Sequence, residues 1–317
     1  MVFIYYNYFR VANSMVEYSA FNRLVPGSNP GQPNYIVILF NSLFLLNYTS
    51  YKNMNTISQV LHNKNSKCAL IPFITAGYPD IKTTIDALYA LDNKGADVIE
   101  LGIPYSDALA DGPIIQESSK IALEQGVYIN QVLDILKMVS PNLRAPVVIF
   151  TYYNPMLSRG IEKFIQDISN SGAKGLIIPD LPFEETDYVI QLCTQCNIEL
   201  ILFVAPTSSQ SRILAILSKS PGCIYLVSSH GVTGLREQID SQINSLADFI
   251  KQNTNKLVMV GFGISSPEQA YKISRLNIDG VVIGSAFIRS MTSKSSYEAV
   301  NNLGTFCDQV RSAIDVL

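Results

Sequence analysis

Glu100 stands in the run Asp97–Val98–Ile99–Glu100–Leu101–Gly102–Ile103, with apolar residues on both sides. An ionised carboxylate in such a strand is costly to desolvate, so its pKa should rise toward neutrality. That is the condition for a side chain that both gives and takes a proton near pH 7. A Glu paired with a base on a neighbouring strand fits the same pattern. Asp107 and Asp111 follow on the segment Pro104 to Gly112. Loop acids commonly face solvent or cap the next helix. A second carboxyl near Glu100, in a different environment, would instead let one site run acid and base steps together.

A second cluster lies near the C-terminus, in Val260–Gly261–Phe262–Gly263–Ile264–Ser265 and Val282–Ile283–Gly284–Ser285–Ala286. Glycines let the backbone approach a ligand closely, and free N–H groups at a helix start attract an anion. Together they point to a phosphorylated ligand. The chain has no Gly-x-x-x-x-Gly-Lys loop for a nucleoside triphosphate. His230–Gly231–Val232–Thr233–Gly234 reads as a mobile lid, and no neighbour in sequence would orient His230 as a base. Cys193–Thr194–Gln195–Cys196 has redox-motif spacing but falls within a helical stretch, without a second pair. Tyr152 and Tyr153 read as core and pocket wall, and His62 as a surface residue.

These residues need a scaffold, and the chain supplies a regular one. Short apolar runs recur at Ala69–Thr75, Asp97–Ile103, Pro146–Tyr153, Gly175–Asp180, Glu199–Ala205, Cys223–Ser229, Leu257–Gly263 and Gly280–Ser285. Such runs suit parallel strands buried on both faces. Helical stretches separate them, at Asp80–Leu91, Ile115–Glu124, Asn130–Val139 and Ser208–Ser218, and another starts at the cap Ser266–Pro267–Glu268. Eight such units fit an α/β fold, the (β/α)8 TIM barrel, with Thr56–His62 as an N-terminal helix closing the bottom. An open doubly wound sheet is the alternative. In a barrel the chemistry sits at the carboxyl ends of the strands, where Glu100, Asp111 and the glycines fall.

Composition narrows the function classes. The chain of 317 residues is 48% hydrophobic and 15% charged, enough apolar material for a sizeable core. A net charge of -3 argues against a broad electrostatic grip on nucleic acid. No apolar run reaches the ~18 residues of a membrane span. The 5 Cys, an odd number, argue for a reducing compartment, and the 2 His, far apart, argue against a His-rich metal site. Residues 1–53 differ from the rest: their only acid is Glu17, their bases are Arg10, Arg23 and Lys52, and the run from Pro26 to Pro33 is turn-rich. They read as an extension without a globular core, or an untranslated stretch before a start at Met54, with 54–317 as the catalytic domain.

The segment from Ile99 to Pro113 closely resembles the tryptophan synthase alpha chain family. Supporting matches run in the family's order: Pro72–Pro79, Tyr152–Tyr153–Asn154–Pro155, Asp180–Leu181–Pro182, Gly231–Gly234, Gly261–Ser265 and Gly284–Ser285–Ala286. Residues 1–53 have no counterpart, and Ala108 stands where the family often has Pro. The resemblance implies retro-aldol cleavage of indole-3-glycerol phosphate to indole and glyceraldehyde 3-phosphate. It implies Glu100 as the acid/base and Asp111 as the partner of the indole N–H. Phe73, Tyr152 and Tyr225 would line the indole pocket; Thr233 would belong to the lid; Gly234, Gly263, Gly284 and Ser285 would hold the phosphate. It implies a beta-chain partner, two chains of each kind, with pyridoxal phosphate only in the beta chain, and a location in the cytoplasm or plastid stroma. A Schiff-base aldolase would need Lys at a strand end, and Lys256 is at the start of strand seven. Two rivals remain: another phosphate-binding barrel, such as a phosphoribosyl isomerase or thiamin phosphate synthase, and a silent subunit that only activates a beta partner.

Overall fold

The computed structural model describes residues 56–64, 66–227, 236–261, 263–293 and 295–316. Helix α1 (Ile57–Asn63) is closed by a capping box. The Thr56 side chain accepts from the Gln59 N–H at 3.2 Å, and Gln59 Oε1 accepts from the Thr56 N–H at 2.9 Å. Strands and helices then alternate: β1 (Ala69–Thr75), α2 (Ile81–Asn93), β2 (Ile99–Gly102), α3 (Pro113–Glu124), α4 (Ile129–Val139), β3 (Val147–Phe150), α5 (Tyr153–Arg159), α6 (Ile161–Asn170), β4 (Gly175–Ile177), α7 (Thr186–Gln195) and β5 (Glu199–Val204). The second half runs α8 (Gln210–Lys219), β6 (Ile224–Val227), α9 (Arg236–Asn253), β7 (Val258–Gly261), α10 (Pro267–Ser274), β8 (Gly280–Ile283), α11 (Ser285–Ser290) and α12 (Ser296–Asp315). The eight strands pair in parallel, in chain order, into a closed barrel with β8 against β1. The fold is a TIM barrel.

Alternation along each strand sorts the side chains. Ala69, Ile71, Val98, Val148, Ile177, Ile201, Met259 and Val282 fill the interior, and Ile57 and Leu61 of α1 pack among them. Residues of opposite parity, such as Leu70, Ile99, Leu101 and Ile149, join the core between sheet and helices. Glu199, at the start of β5, holds α1 in place. Its Oε2 accepts from the Ser58 N–H at 3.0 Å, and its Oε1 from Ser58 Oγ at 2.6 Å and the Cys223 N–H at 2.9 Å. Gly222 makes room for this clamp, because a Cβ there would lie 2.0 Å from Glu199 Oε1. Two charged pairs tie the outer helices down. Arg311 Nη1 of α12 meets Asp97 Oδ2 at 2.8 Å, and Lys251 of α9 pairs with Asp279.

The strands are shorter than the apolar runs in the sequence. The run Pro146–Tyr153 yields β3 at Val147–Phe150 only, and Tyr153 opens α5. Asp180, just past β4, accepts from the Tyr153 N–H at 2.8 Å and so starts that helix early. Likewise Ser285 opens α11 rather than ending β8. Among the described residues no helix is long and apolar enough to cross a membrane. All five cysteines are free: Cys193 is buried in α7 and Cys196 caps its end. Burial pushes the Cys68 and Cys307 thiols up to about 12.

Candidate active site

Glu100 points into the barrel from β2, level with Phe73 on β1 and Val148 on β3. It is 1% exposed, and its Oε1 is buried with no hydrogen-bond partner among the described residues. The neighbouring-strand ion pair is therefore not what holds it. Burial alone pushes its carboxyl up to about 8. At neutral pH Glu100 carries its proton.

Asp111 lies on the loop between β2 and α3. Burial raises its carboxyl to about 6, against a hydrogen bond from Tyr152 that favours the ionised form. The Tyr152 hydroxyl donates to Asp111 Oδ2 at 3.0 Å and accepts from the Ala110 N–H at 3.0 Å. Asp107, on the same loop, is exposed. The buried phenol of Tyr225 stands close to both acids: beyond the effect of burial, the charges of Glu100 and then Asp111 hold its pKa well above the ordinary value. The two carboxyls thus both act on Tyr225 but keep separate environments, one buried with an unpartnered oxygen, the other tethered by Tyr152.

An aromatic wall connects them. Phe73 meets Phe150 edge-on at 5.5 Å, and Phe150 meets Tyr152 at 6.2 Å. Tyr105 lies 5.2 Å from Tyr152, and Phe203 lies 4.8 Å from Tyr225. Two glycines seat these rings. A Cβ at Gly102 would lie 2.6 Å from Phe73 Cζ, and one at Gly261 would lie 2.1 Å from the Tyr225 hydroxyl. The sequence reading missed Phe150, Phe203 and Tyr105. The inward parity of Phe150 and Phe203 on their strands was the available signal.

On the other side, β7 and β8 run together, with Gly261 level with Val282. Gly263 is exposed, with no heavy atom within 4 Å of where a Cβ would stand. Gly284 caps α11 and Ser285 is its first residue. A Cβ on Gly284 would lie 3.3 Å from Ile115 Cδ1 and 3.5 Å from Phe73 Cδ1, so this glycine borders the aromatic wall. Thr233, Gly234 and His230 lie outside the described residues, as does Phe262. Among the described residues no group of three or more His, Cys, Asp and Glu side chains could hold a metal ion.

A closed parallel barrel that holds two carboxyls of raised pKa beside a wall of aromatic rings is the frame of an α/β-barrel enzyme. The family model for the tryptophan synthase alpha chain matches residues 60–315. The tryptophan synthase alpha chain of Gracilaria tenuistipitata var. liui is 62% identical over 261 residues, which are 82% of this chain and 97% of that one. That of Antithamnion sp. is 59% identical over 260 residues, 82% of this chain and 99% of the relative. A tryptophan synthase structure from Mycobacterium tuberculosis superposes with a TM-score of 0.74 at 32% identity, covering 82% of this chain and 98% of that chain. The chain belongs to the tryptophan synthase alpha chain family. It is a carbon–carbon lyase of L-tryptophan biosynthesis that carries the alpha reaction, and the family's partner is the beta chain.

Proposed function

We propose that Glu100 and Asp111 divide the alpha reaction, the retro-aldol cleavage of indole-3-glycerol phosphate, between them. Glu100 enters the cycle protonated and gives its proton to indole C3. The ring becomes cationic, and the ionised Asp111 holds its N–H and balances that charge. Glu100, now a carboxylate, takes the proton of the hydroxyl on the carbon attached to C3. The bond between that carbon and C3 breaks, its electron pair returns to the ring, and indole and glyceraldehyde 3-phosphate leave. The proton count closes on Glu100, so no other acid or base is needed. The observation that carries this reading is the environment of Glu100: a buried carboxyl with an unpartnered oxygen and a pKa near 8 both donates and accepts near neutrality.

Phe73, Tyr152 and Tyr225 line the indole pocket, together with Phe150 and Phe203. Gly234, Gly263, Gly284 and Ser285 hold the phosphate, with Thr233 in the lid. This chain works without a cofactor of its own; pyridoxal phosphate belongs to the beta chain, and the assembly contains two chains of each kind. Residues 1–53 lie outside the catalytic unit, in keeping with a family match that begins at residue 60. The five free cysteines fit the reducing environment of cytoplasm or plastid stroma. Glu100→Gln tests the assignment: it keeps the shape and removes the proton. Indole release should fall at least ~10³-fold with little change in substrate affinity. Retention of more than about a tenth of the activity, far above the loss that removing a principal acid/base brings, overturns the role of Glu100.

A further inference from the structure

We propose that Tyr152 is a positioning residue for Asp111: its hydroxyl holds the loop between β2 and α3 at the barrel mouth and turns one oxygen of Asp111 toward the substrate. This rests on the reading of Asp111 given above and names what holds that residue. The hydroxyl has one proton and is engaged on both sides. Because the Ala110 N–H donates to the oxygen at 3.0 Å, the hydroxyl proton is left for Asp111 Oδ2, also at 3.0 Å. With Oδ2 held, Oδ1 is the oxygen that the indole N–H takes.

Tyr152 is itself fixed from behind. It is the residue before α5, and its ring is buried between Tyr105 and Phe150. The next N–H, that of Tyr153, donates to Asp180 Oδ1 at 2.8 Å. A chain of contacts thus runs from the end of β4 through the start of α5 to Asp111. The loop it holds has little else to fix its tip, since Ser106, Asp107, Leu109 and Ala110 are exposed. Gln116 of α3 anchors the loop from the other side, donating to the Ala108 and Asp111 carbonyls at 3.1 and 3.0 Å. Among the described residues, only Tyr152 reaches both the loop backbone at Ala110 and the carboxylate.

Among the described residues, the titratable groups around this point are Glu100 from β2, Tyr105 packed on the Tyr152 ring, Tyr225 from β6, Asp180 beyond β4 and Tyr152. Among the described residues, burial first and then the Tyr152 hydrogen bond displace the Asp111 pKa. Removing that hydrogen bond therefore moves it in one direction, upward, because the ionised form loses a donor.

The test is Tyr152→Phe in the full chain, which keeps the ring and removes the hydroxyl. Indole release should fall about 10-fold in kcat, the cost of one hydrogen bond to a charged group, with a smaller change in KM. The acidic limb of the kcat/KM profile should move to higher pH, and the Ala110 N–H should exchange faster with solvent. In an Asp111→Asn background the same change should cost little more. Wild-type kcat with an unmoved acidic limb overturns the proposal; so does a full additive loss on top of Asp111→Asn, which would make Tyr152 a packing residue. If Asp111→Asn alone keeps wild-type activity, the role of Asp111 fails, while Ala110 exchange in Tyr152→Phe still reports separately whether the tyrosine holds the loop. Should Tyr152→Phe not fold, Asp180→Ala, which frees the start of α5, must give the same upward limb shift, and an unmoved limb there overturns the proposal.

Discussion

Replacing Glu100 by Gln should abolish the reaction and make the barrel gain stability relative to the wild type as pH rises. The folded protein holds the Glu100 carboxyl at about 8, while an unfolded chain releases the proton at the ordinary 4.5. Between these values the folded state binds a proton that the unfolded state does not. Stability must therefore fall as pH rises through that window, at about 1.4 kcal/mol per unit. From pH 4.5 to pH 7 the loss is about 3 kcal/mol, and above pH 8 it levels off at about 4 kcal/mol. Gln does not titrate, so whatever its amide costs or gains in the pocket is constant with pH. Asp111 has its own raised pKa, from burial and opposed by Tyr152, and it is present in both proteins, so it cancels in the difference. Thermal melts of the full chain at pH 5, 6, 7 and 8 should show the variant gaining on the wild type at each step. For a domain of this size about 3 kcal/mol corresponds to roughly 6 °C or more in Tm. A gap that stays constant over this range would mean that Glu100 does not hold a proton at neutral pH. A gap that closes as pH rises would mean an ionised, paired Glu100, and the acid/base role would lose its physical basis.

The kcat/KM profile for indole release should be bell-shaped, rising near pH 6 as Asp111 ionises and falling near pH 8 as Glu100 loses its proton; Asp111→Asn should remove the acidic limb alone, and a flat profile from pH 6 to 9 counts against both assignments. Gly261→Ala should force the Tyr225 ring away, since the added Cβ would lie 2.1 to 2.5 Å from its atoms; a cost of about 1–3 kcal/mol in a melt and a drop in kcat/KM are expected, and an unchanged Tm refutes the close contact. Ser285→Ala should weaken inhibition by glycerol phosphate about 10-fold or more, as for a lost hydrogen bond to a charged group, and leave inhibition by indole analogues almost unchanged; equal weakening of both would remove the phosphate from this end of the barrel.

The parts of the fold that follow from periodicity and charge were legible in the sequence. All eight strands stand where apolar runs predict them, and Ser266 caps its helix through its side-chain oxygen as expected. The burial and raised pKa of Glu100 were legible from its place in an apolar strand, while a cross-strand ion pair fitted the same pattern. The strand ends were not. Tyr152 and Tyr153 continue the apolar run of β3, and only Asp180, 27 residues further on, turns them into a helix start. Phe150 and Phe203 offered only their parity with the inward Val148 and Ile201 as a signal, because strands buried on both faces lack the polar alternation that would reinforce it. The Tyr152 bond to Asp111 spans 41 residues and has no local pattern at all.

The clamp on α1 bears on how the barrel is made. Ser58 meets Glu199 across 141 residues of chain and Cys223 across 165. The helix that closes the barrel floor is thus among the first described segments to leave the ribosome, yet its seat exists only once β6 has been synthesised. A helix of 7 residues has no stability of its own, and closing a loop of that length costs entropy before any contact repays it. Every nascent chain shorter than about Cys223 therefore carries Ile57 and Leu61 without the interior they fill, and sealing the floor belongs to the late, slow, long-range part of folding rather than to its start.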